Sequence, residues 1–78
     1  MPDYMLEEHL AAKLSLSPEE LRSFEVQGVI HCKRKNGNRY YSSRDFYRLK
    51  SILHYMRNKG LSLQEARAKV GLATVTAN

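Results

Sequence analysis

Residues 17–41 constrain the fold of this chain more than any other segment. They open with Ser17, a proline and two glutamates, and the apolar residues Leu21 and Phe24 follow before Gly28. A serine N-cap with a glutamate three residues later forms a capping box, and proline suits the first helical position. Glycine adopts the left-handed conformation that ends many helices. The segment therefore opens with a short predicted helix that ends at Gly28.

A basic hairpin is predicted directly after this helix. Residues 29–33 have strand character, and Asn36-Gly37 is the strongest short-range signal for a tight hairpin turn. Residues 39–41, Arg-Tyr-Tyr, contain the aromatic side chains that favour a return strand. The two tyrosines alternate along it, so one is expected to face the core and one to face outward. A short helix beside a basic ribbon is how winged helix-turn-helix domains hold a DNA duplex.

A first helix is predicted before this segment. Leu6, Leu10 and Leu14 recur every four residues, which is the spacing of one helix face, and they indicate a helix over about residues 5–14. Only the turn at residues 14–17 separates it from the next helix. Two short helices joined by so short a turn form a helix-turn-helix.

Two further helices are predicted after the hairpin. Ser42 and Asp45 have the spacing of a second capping box, and Gly60 is expected to end the helix that they begin. The apolar residues at helical spacing on its core face are Phe46, Leu49, Ile52, Leu53 and Met56. Ser62 and Glu65 repeat the box at the start of a short fourth helix.

One domain is expected over residues 1–71. Gly71 is predicted to stop the fourth helix, and the tail 72–78 has no caps or periodicity, so it is expected to be flexible. A chain of 78 residues buries only about 60% of its unfolded surface, which leaves room for a single small core. The predicted class is mostly α with a small β-hairpin wing: a winged helix-turn-helix with four short helices.

The charge of the chain is unevenly distributed. Residues 1–29 hold two basic and six acidic side chains, whereas residues 31–59 hold nine basic side chains and one acidic one. The net charge of +5 therefore combines an acidic front with a strongly basic middle. A basic stripe of this density predicts a polyanionic partner, with nucleic acid first among the candidates.

Composition argues against several other classes. The single cysteine, Cys32, cannot form an internal disulfide, which fits the reducing cytoplasm. No apolar run approaches the roughly 20 residues that span a bilayer, and the first residues do not resemble a secretory signal. A cytoplasmic protein with no membrane partner is therefore expected.

No motif for catalysis or metal binding is found. His9, His31 and His54 lie far apart, and none has a second ligand at zinc spacing. The chain has no phosphate-binding glycine loop followed by lysine and no serine nucleophile motif. We therefore expect no enzyme, no cofactor and no metal site.

The ordered set of motifs resembles the DNA-binding domain of the MerR family of transcriptional regulators over about residues 4–71. The matching pieces are Leu10-Ala11, Leu16-Ser17, Leu21-Arg22-Ser23-Phe24-Glu25, Gly28-Val29, Gly37-Asn38-Arg39-Tyr40-Tyr41-Ser42 and Gly60-Leu61-Ser62-Leu63-Gln64-Glu65. The chain departs from the family pattern at four positions. Ser15 stands where a glycine is usual, Ser23 and Phe24 stand where two tyrosines are usual, and Asn38 replaces the tyrosine before the wing arginine.

The resemblance implies a set of DNA contacts. It places the second helix, residues 18–27, in the major groove and the basic wing, residues 30–41, on the backbone or in the minor groove. The residues implied to contact DNA are Ser17, Arg22, Ser23 and Phe24 on the helix, Lys33, Arg34, Lys35, Arg39, Tyr40 and Tyr41 on the wing, and Arg57 on the third helix.

Some of these residues have an alternative interpretation. Arg22, expected at a base edge or a phosphate, could instead form a salt bridge with Glu19 or Glu25 on the helix surface. Arg57, which matches a phosphate-clamping position in the family, could instead favour the dipole at the end of its own helix. Ser17 has a second role as the N-cap.

The resulting prediction is sequence-specific binding of double-stranded DNA by a module of a bacterial transcription regulator. The resemblance also implies a location at the bacterial nucleoid. Two alternatives stay open at this stage. One is a protein-interaction module similar to the MerR-like modulators of co-chaperones, and the other is an excisionase-like architectural DNA-binding factor. The long dimer helix and the small-molecule effector domain usual in the family have no counterpart in these residues. A monomer is therefore expected for this chain alone and a homodimer in a longer or native context.

Overall fold

The computed structural model describes the backbone of residues 4–76 and the side chains of residues 4–71. This part of the chain forms a three-stranded antiparallel sheet and four helices. The elements in chain order are β1 (Tyr4–Leu6), α1 (Glu7–Leu14), α2 (Pro18–Val26), β2 (Lys33–Lys35), β3 (Asn38–Ser42), α3 (Ser43–Lys59) and α4 (Leu63–Thr76). The predicted class, a mostly helical winged helix-turn-helix, is confirmed.

The first strand is an element that the sequence prediction lacked. The first helix was predicted from about residue 5, but Tyr4–Leu6 is extended and α1 begins at Glu7. β1 pairs with β3, with Met5 opposite Tyr41, so the sheet order is β1-β3-β2. The backbone N–H and C=O groups of residues 4–6 find partners on the free edge of β3. In a longer α1 they would have found partners within the helix.

The wing is shorter at its start than predicted. Residues 29–33 were expected to form its first strand, but β2 begins only at Lys33. Val29 and Ile30 are instead buried in the core, because the chain turns inward after α2. The turn prediction is confirmed: Asn36 and Gly37 both have positive φ, 52° and 79°, as the tightest two-residue hairpins require.

Local signals define both ends of α2 as predicted. The backbone N–H of Ser17 donates to Glu20 Oε1 at 2.9 Å, and the backbone N–H of Glu20 donates to Ser17 Oγ at 3.1 Å. Gly28 lies at φ 80° after the helix, and its N–H donates to the carbonyl of Glu25. The next N–H, that of Val29, donates to the carbonyl of Phe24, which completes a Schellman ending.

The start of α3 differs from the predicted capping box. Ser42 Oγ does accept the backbone N–H of Asp45, at 3.1 Å. The Asp45 carboxylate, however, accepts the backbone N–H of His31 at 3.0 Å, so the box is not reciprocal. Asp45 is buried, and its hydrogen bond with His31 joins the segment before the wing to α3. The predicted end of this helix is confirmed, since Gly60 is left-handed at φ 68°.

The fourth helix is longer than predicted. Its capping box is confirmed, with Ser62 and Glu65 exchanging bonds of 2.9 and 3.1 Å. Gly71, however, lies inside the helix, which continues to Thr76. A glycine within a helix costs only about 1 kcal/mol relative to alanine, which its neighbours can offset. The flexibility expected of residues 72–78 stays a prediction, and residues 77–78 lie outside the described residues.

One hydrophobic core joins the helix-turn-helix to the sheet and the later helices. Its buried members are Leu10, Ala11, Leu14, Leu21, Val29, Ile30, Tyr41, Leu49, Ile52, Leu53 and Ala66. The predicted core face of α3 is confirmed, because Phe46 and Met56 pack against this cluster beside the buried members of that helix. The orientations of α2 and β3 are therefore set by the same packed interior.

The turn between α1 and α2 gives a test of the fold. Ser15 ends α1 in the left-handed conformation, with φ 57°, where the family pattern has glycine. Ser15→Gly is expected to raise the free energy of unfolding by about 1 kcal/mol, because glycine adopts this conformation without the side-chain penalty. Urea unfolding followed by circular dichroism measures the change.

Gly28→Ser is the matched control for this substitution. A Cβ at Gly28 would meet no atom within 4 Å, so its cost is conformational alone. It is expected to lower the free energy of unfolding by about 1 kcal/mol. A loss of stability in Ser15→Gly would contradict the left-handed turn between the two helices.

Candidate nucleic-acid interface

One face of α2 is exposed along its whole length. Leu21 is fully buried and Phe24 packs against the core, so the opposite face is left to solvent. The exposed residues at helical spacing on α2 and its C-cap are Glu19, Arg22, Ser23, Val26 and Gln27. Val26 is 86% exposed, so its apolar side chain lies almost entirely in solvent. This row is the candidate surface for base contacts.

Arg22 is held by an acidic residue from a different helix. Its Nε donates to Glu7 Oε2 and its Nη2 donates to Glu7 Oε1, both at 3.0 Å. The salt-bridge partners considered from the sequence, Glu19 and Glu25, were therefore wrong. Glu7 lies in the first turn of α1, fifteen residues away in the chain, where no local pattern points to it. The Arg22 side chain is still 55% exposed.

Arg39 of the wing lies against both helices of the helix-turn-helix. Its Nε donates to Glu7 Oε2 at 2.9 Å, and its Nη2 donates to Glu25 Oε1 and, at 3.3 Å, to the hydroxyl of Tyr41. The Arg39 side chain is only 17% exposed. Arg39 therefore ties the wing to α1 and α2 in the free protein, and its predicted DNA contact stays a prediction.

These contacts form a network that we call the Glu7 bridge. It consists of Glu7, Arg22, Glu25, Arg39 and Tyr41. The hydrogen bond from Arg22, with a second from Arg39, holds the pKa of Glu7 below its ordinary value although burial opposes the shift. The hydrogen bond to Glu7 in turn raises the pKa of Arg22. Both charges are therefore retained at neutral pH.

The first strand of the wing carries three exposed cations that a polyanion could reach. Lys33, Arg34 and Lys35 are all exposed on β2. Lys33 Nζ lies 5.3 Å from the centre of the Tyr4 ring, a cation–π arrangement with a strand that the sequence did not predict. Arg34 and Lys35 follow Lys33 and extend the row of positive charges along β2 as far as the Asn36-Gly37 turn.

The structure distinguishes the two tyrosines of β3. Tyr41 is fully buried, and its hydroxyl reaches Arg39 and Glu25. Burial raises the pKa of this hydroxyl. Tyr40 is half-buried and lies opposite Lys33 in the register of the hairpin. A direct DNA contact is therefore open to Tyr40 and not to Tyr41, whose ring supports the wing from inside.

The remaining predicted contacts all have intramolecular partners. Ser17 Oγ caps α2, and Ser23 Oγ accepts a bond of 3.2 Å from Gln27 Nε2. Arg57 Nη1 donates to the carbonyl of Leu14 at 3.1 Å. Arg57 thus satisfies the end of α1, and it also lies in the last turn of α3, as its alternative role at the helix dipole requires. Its contact with phosphate stays a prediction.

Four further residues lie at the candidate surface and were not among the predicted contacts. Glu7 and Glu25 hold the arginines, and Val26 and Gln27 extend the exposed row of α2. Val26 has a signal in the sequence, because it is an apolar residue outside the buried spacing set by Leu21. Glu7 has none, since its partners lie fifteen and thirty-two residues away.

Other kinds of site were also sought among the described residues. No three His, Cys, Asp or Glu side chains in residues 4–71 gather closely enough to hold a metal ion. Within the described backbone, no helix has the length and apolar character that crossing a membrane requires. His9, His31 and His54 are each exposed at the surface.

Comparison with known proteins identifies one family. The family model described as MerR HTH family regulatory protein matches residues 7–70 of the chain. The match starts at the first residue of α1 and spans α2, the wing, α3 and part of α4. Searches of the curated proteins and of the solved structures each found no match.

The lowered pKa values predict a loss of stability in acid. Glu7, through Arg22, and Glu20 and Glu65, through their capping hydrogen bonds, have pKa values below the ordinary 4.5. The unfolded chain therefore binds more protons near pH 4.5 than the folded protein does. The stability that these groups contribute is present above pH 4.5 and is lost as the pH falls below it.

Urea unfolding at a series of pH values from 6 to about 3 measures this loss. Glu7→Gln removes one of the three groups, so the fall in unfolding free energy is expected to be shallower in this variant. Parallel curves for the parent and the variant would show that the ion pair does not hold in solution.

Proposed function

The chain belongs to the MerR HTH family of regulatory proteins, and from this premise we propose that it binds double-stranded DNA sequence-specifically as a module of a bacterial transcription regulator. In the proposed complex α2 lies in the major groove, and the wing, formed by β2 and β3, lies along the adjacent backbone or minor groove.

The observation that carries this proposal is the link between α2 and the wing. Glu7 accepts hydrogen bonds from Arg22 on α2 and from Arg39 on β3. The helix and the ribbon therefore present their exposed side chains as one surface with a fixed relative orientation. A duplex needs this arrangement, because its groove and its backbone must be contacted at the same time.

Residues on the exposed face of α2 are proposed to touch base edges. Arg22, the basic residue of this face, would contact a base edge or a nearby phosphate. Ser23 and Gln27 carry hydrogen-bonding groups that suit a base edge or a phosphate. Val26 presents the apolar surface that suits the methyl group of thymine. Ser17 would add a phosphate contact while it caps the helix.

Residues of the wing and α3 are proposed to act mainly through charge. Lys33, Arg34 and Lys35 would neutralise phosphates, with the release of counterions and without reading sequence. Tyr40 would contact a phosphate through its hydroxyl group, and Arg57 through N–H groups other than the one that binds the carbonyl of Leu14. Phe24 and Tyr41 are proposed to position α2 and the wing, and Arg39 is proposed both to position the wing and to contact the DNA backbone.

Salt dependence tests the proposal. We expect fluorescence anisotropy with a labelled random-sequence duplex to show binding that weakens with salt. The logarithm of the association constant should fall linearly with the logarithm of salt concentration, with a slope of about −0.9 per phosphate neutralised. The variant Arg34→Gln, Lys35→Gln removes two exposed cations of the wing. Its binding is expected to be weaker, with a slope shallower by up to about two.

The variant Lys59→Gln, Lys69→Gln is the matched control, because it loses the same charge from exposed positions on α3 and α4. Its slope is expected to stay close to that of the parent. Equal slopes for the two variants would contradict the wing as the contact surface. No binding at low salt would reject DNA as the partner and favour the protein-interaction alternative.

A further inference from the structure

The two hydrogen bonds between Arg22 and Glu7 use one edge of the guanidinium group and leave its other edge available. An arginine side chain has five N–H donors, one on Nε and two on each Nη. Glu7 accepts from Nε and Nη2, which together form the side edge of the fork. The end edge, with N–H groups on Nη1 and Nη2, stays available on a side chain that is 55% exposed.

The free edge has the geometry that guanine requires. Arginine reads guanine through two parallel bonds to O6 and N7, in the major groove. Because the carboxylate of Glu7 fixes the plane and direction of the fork, the pair of donors is oriented before DNA arrives. Such orientation improves recognition by lowering the conformational freedom that is lost on binding.

Glu7 is itself held in place from the core. Its Oε2 accepts from Arg39 Nε at 2.9 Å, and Arg39 also donates to the hydroxyl of the fully buried Tyr41. The exposed side-chain fraction rises from 14% at Glu7 to 55% at Arg22. The contacts therefore run from the interior to a single exposed group, which is how a precise recognition geometry is supported.

The charge of Glu7 distinguishes guanine from phosphate as the target of Arg22. A carboxylate beside the arginine repels a phosphate, whereas the O6 and N7 atoms of guanine are neutral acceptors. Glu7 therefore lowers affinity for every DNA sequence while it improves the fit to one base. A residue with both effects raises specificity at the expense of affinity.

We infer that Glu7 is a positioning residue that makes Arg22 a reader of guanine. This inference rests on the proposed function, since it assigns one base to the surface that α2 presents. It adds that the acidic residue of α1 sets sequence preference, although it need not touch DNA itself.

The test begins with the parent protein and a randomised duplex library. Repeated selection gives a preferred duplex, and affinities are then measured for this duplex, for a random duplex, and for the preferred duplex with 7-deazaguanine at each guanine in turn. The parent is expected to lose about tenfold in affinity at one 7-deazaguanine position, because one of the two bonds is removed.

Three variants separate the role of Glu7 from its charge. Glu7→Gln is expected to bind the random duplex more tightly and to become insensitive to the critical 7-deazaguanine. Glu8→Gln is the matched control, because it loses the same charge from the next, exposed residue. It is expected to gain affinity for random DNA but to keep the sensitivity. Arg22→Lys keeps the charge, loses the fork and is expected to lose the sensitivity.

The outcomes separate this inference from the proposed function. If the parent selects a sequence but Glu7→Gln keeps its sensitivity to 7-deazaguanine, the positioning role of Glu7 is wrong and the proposed function stands. If Arg22→Lys also keeps the sensitivity, another residue reads the guanine. If the parent binds no duplex at any salt concentration, the proposed function fails and the inference fails with it. Circular dichroism of each variant confirms that it is folded.

Discussion

The Glu7 bridge is the interaction on which the candidate surface depends. Hydrophobic packing sets the positions of α2 and β3 separately, but Arg39 of β3 binds Glu25 of α2 directly, and Glu7 of α1 accepts from both Arg39 and Arg22. A domain of this size has a small core, and all three residues of the wing strand β2 are exposed. Ion pairs that share one carboxylate are therefore a means of fixing the wing against the helix.

The bridge also divides the basic residues into two groups. Arg22 and Arg39 are paired with acids and contribute little to the outward field, whereas Lys33, Arg34 and Lys35 are exposed. The exposed group suits long-range attraction, because unpaired cations on a ribbon act on any phosphate backbone. The paired group suits recognition at short range. The proposed function thus assigns attraction and selectivity to different residues of one small surface.

The features that could be predicted from the sequence are those that are encoded locally. The capping boxes at Ser17 and Ser62 and the turn at Asn36-Gly37 depend on residues within three positions of one another, and all were predicted correctly. The helical class and the core face of α3 follow from hydrophobic periodicity in the same way. Agreement among such local signals is what makes a fold readable.

The features that were missed depend on contacts between distant residues. β1 exists because β3 has a free edge, and Asp45 leaves its capping box because the N–H of His31 needs an acceptor. The partners of Glu7 come from α2 and the wing, which no spacing in the chain reveals. Gly71 is the opposite case. It was predicted from local sequence to end α4, but the helix continues through it.

The central claim is that α2 and the wing form one DNA-binding surface, and NMR tests it most directly. A ¹⁵N-labelled sample titrated with a short duplex gives the shift of each backbone amide. The account predicts the largest shifts at residues 19–27 and 33–40, with Arg22 and Arg34 among them, and small shifts on the outer faces of α3 and α4. Large shifts confined to α3 and α4, with α2 and the wing unchanged, would contradict it.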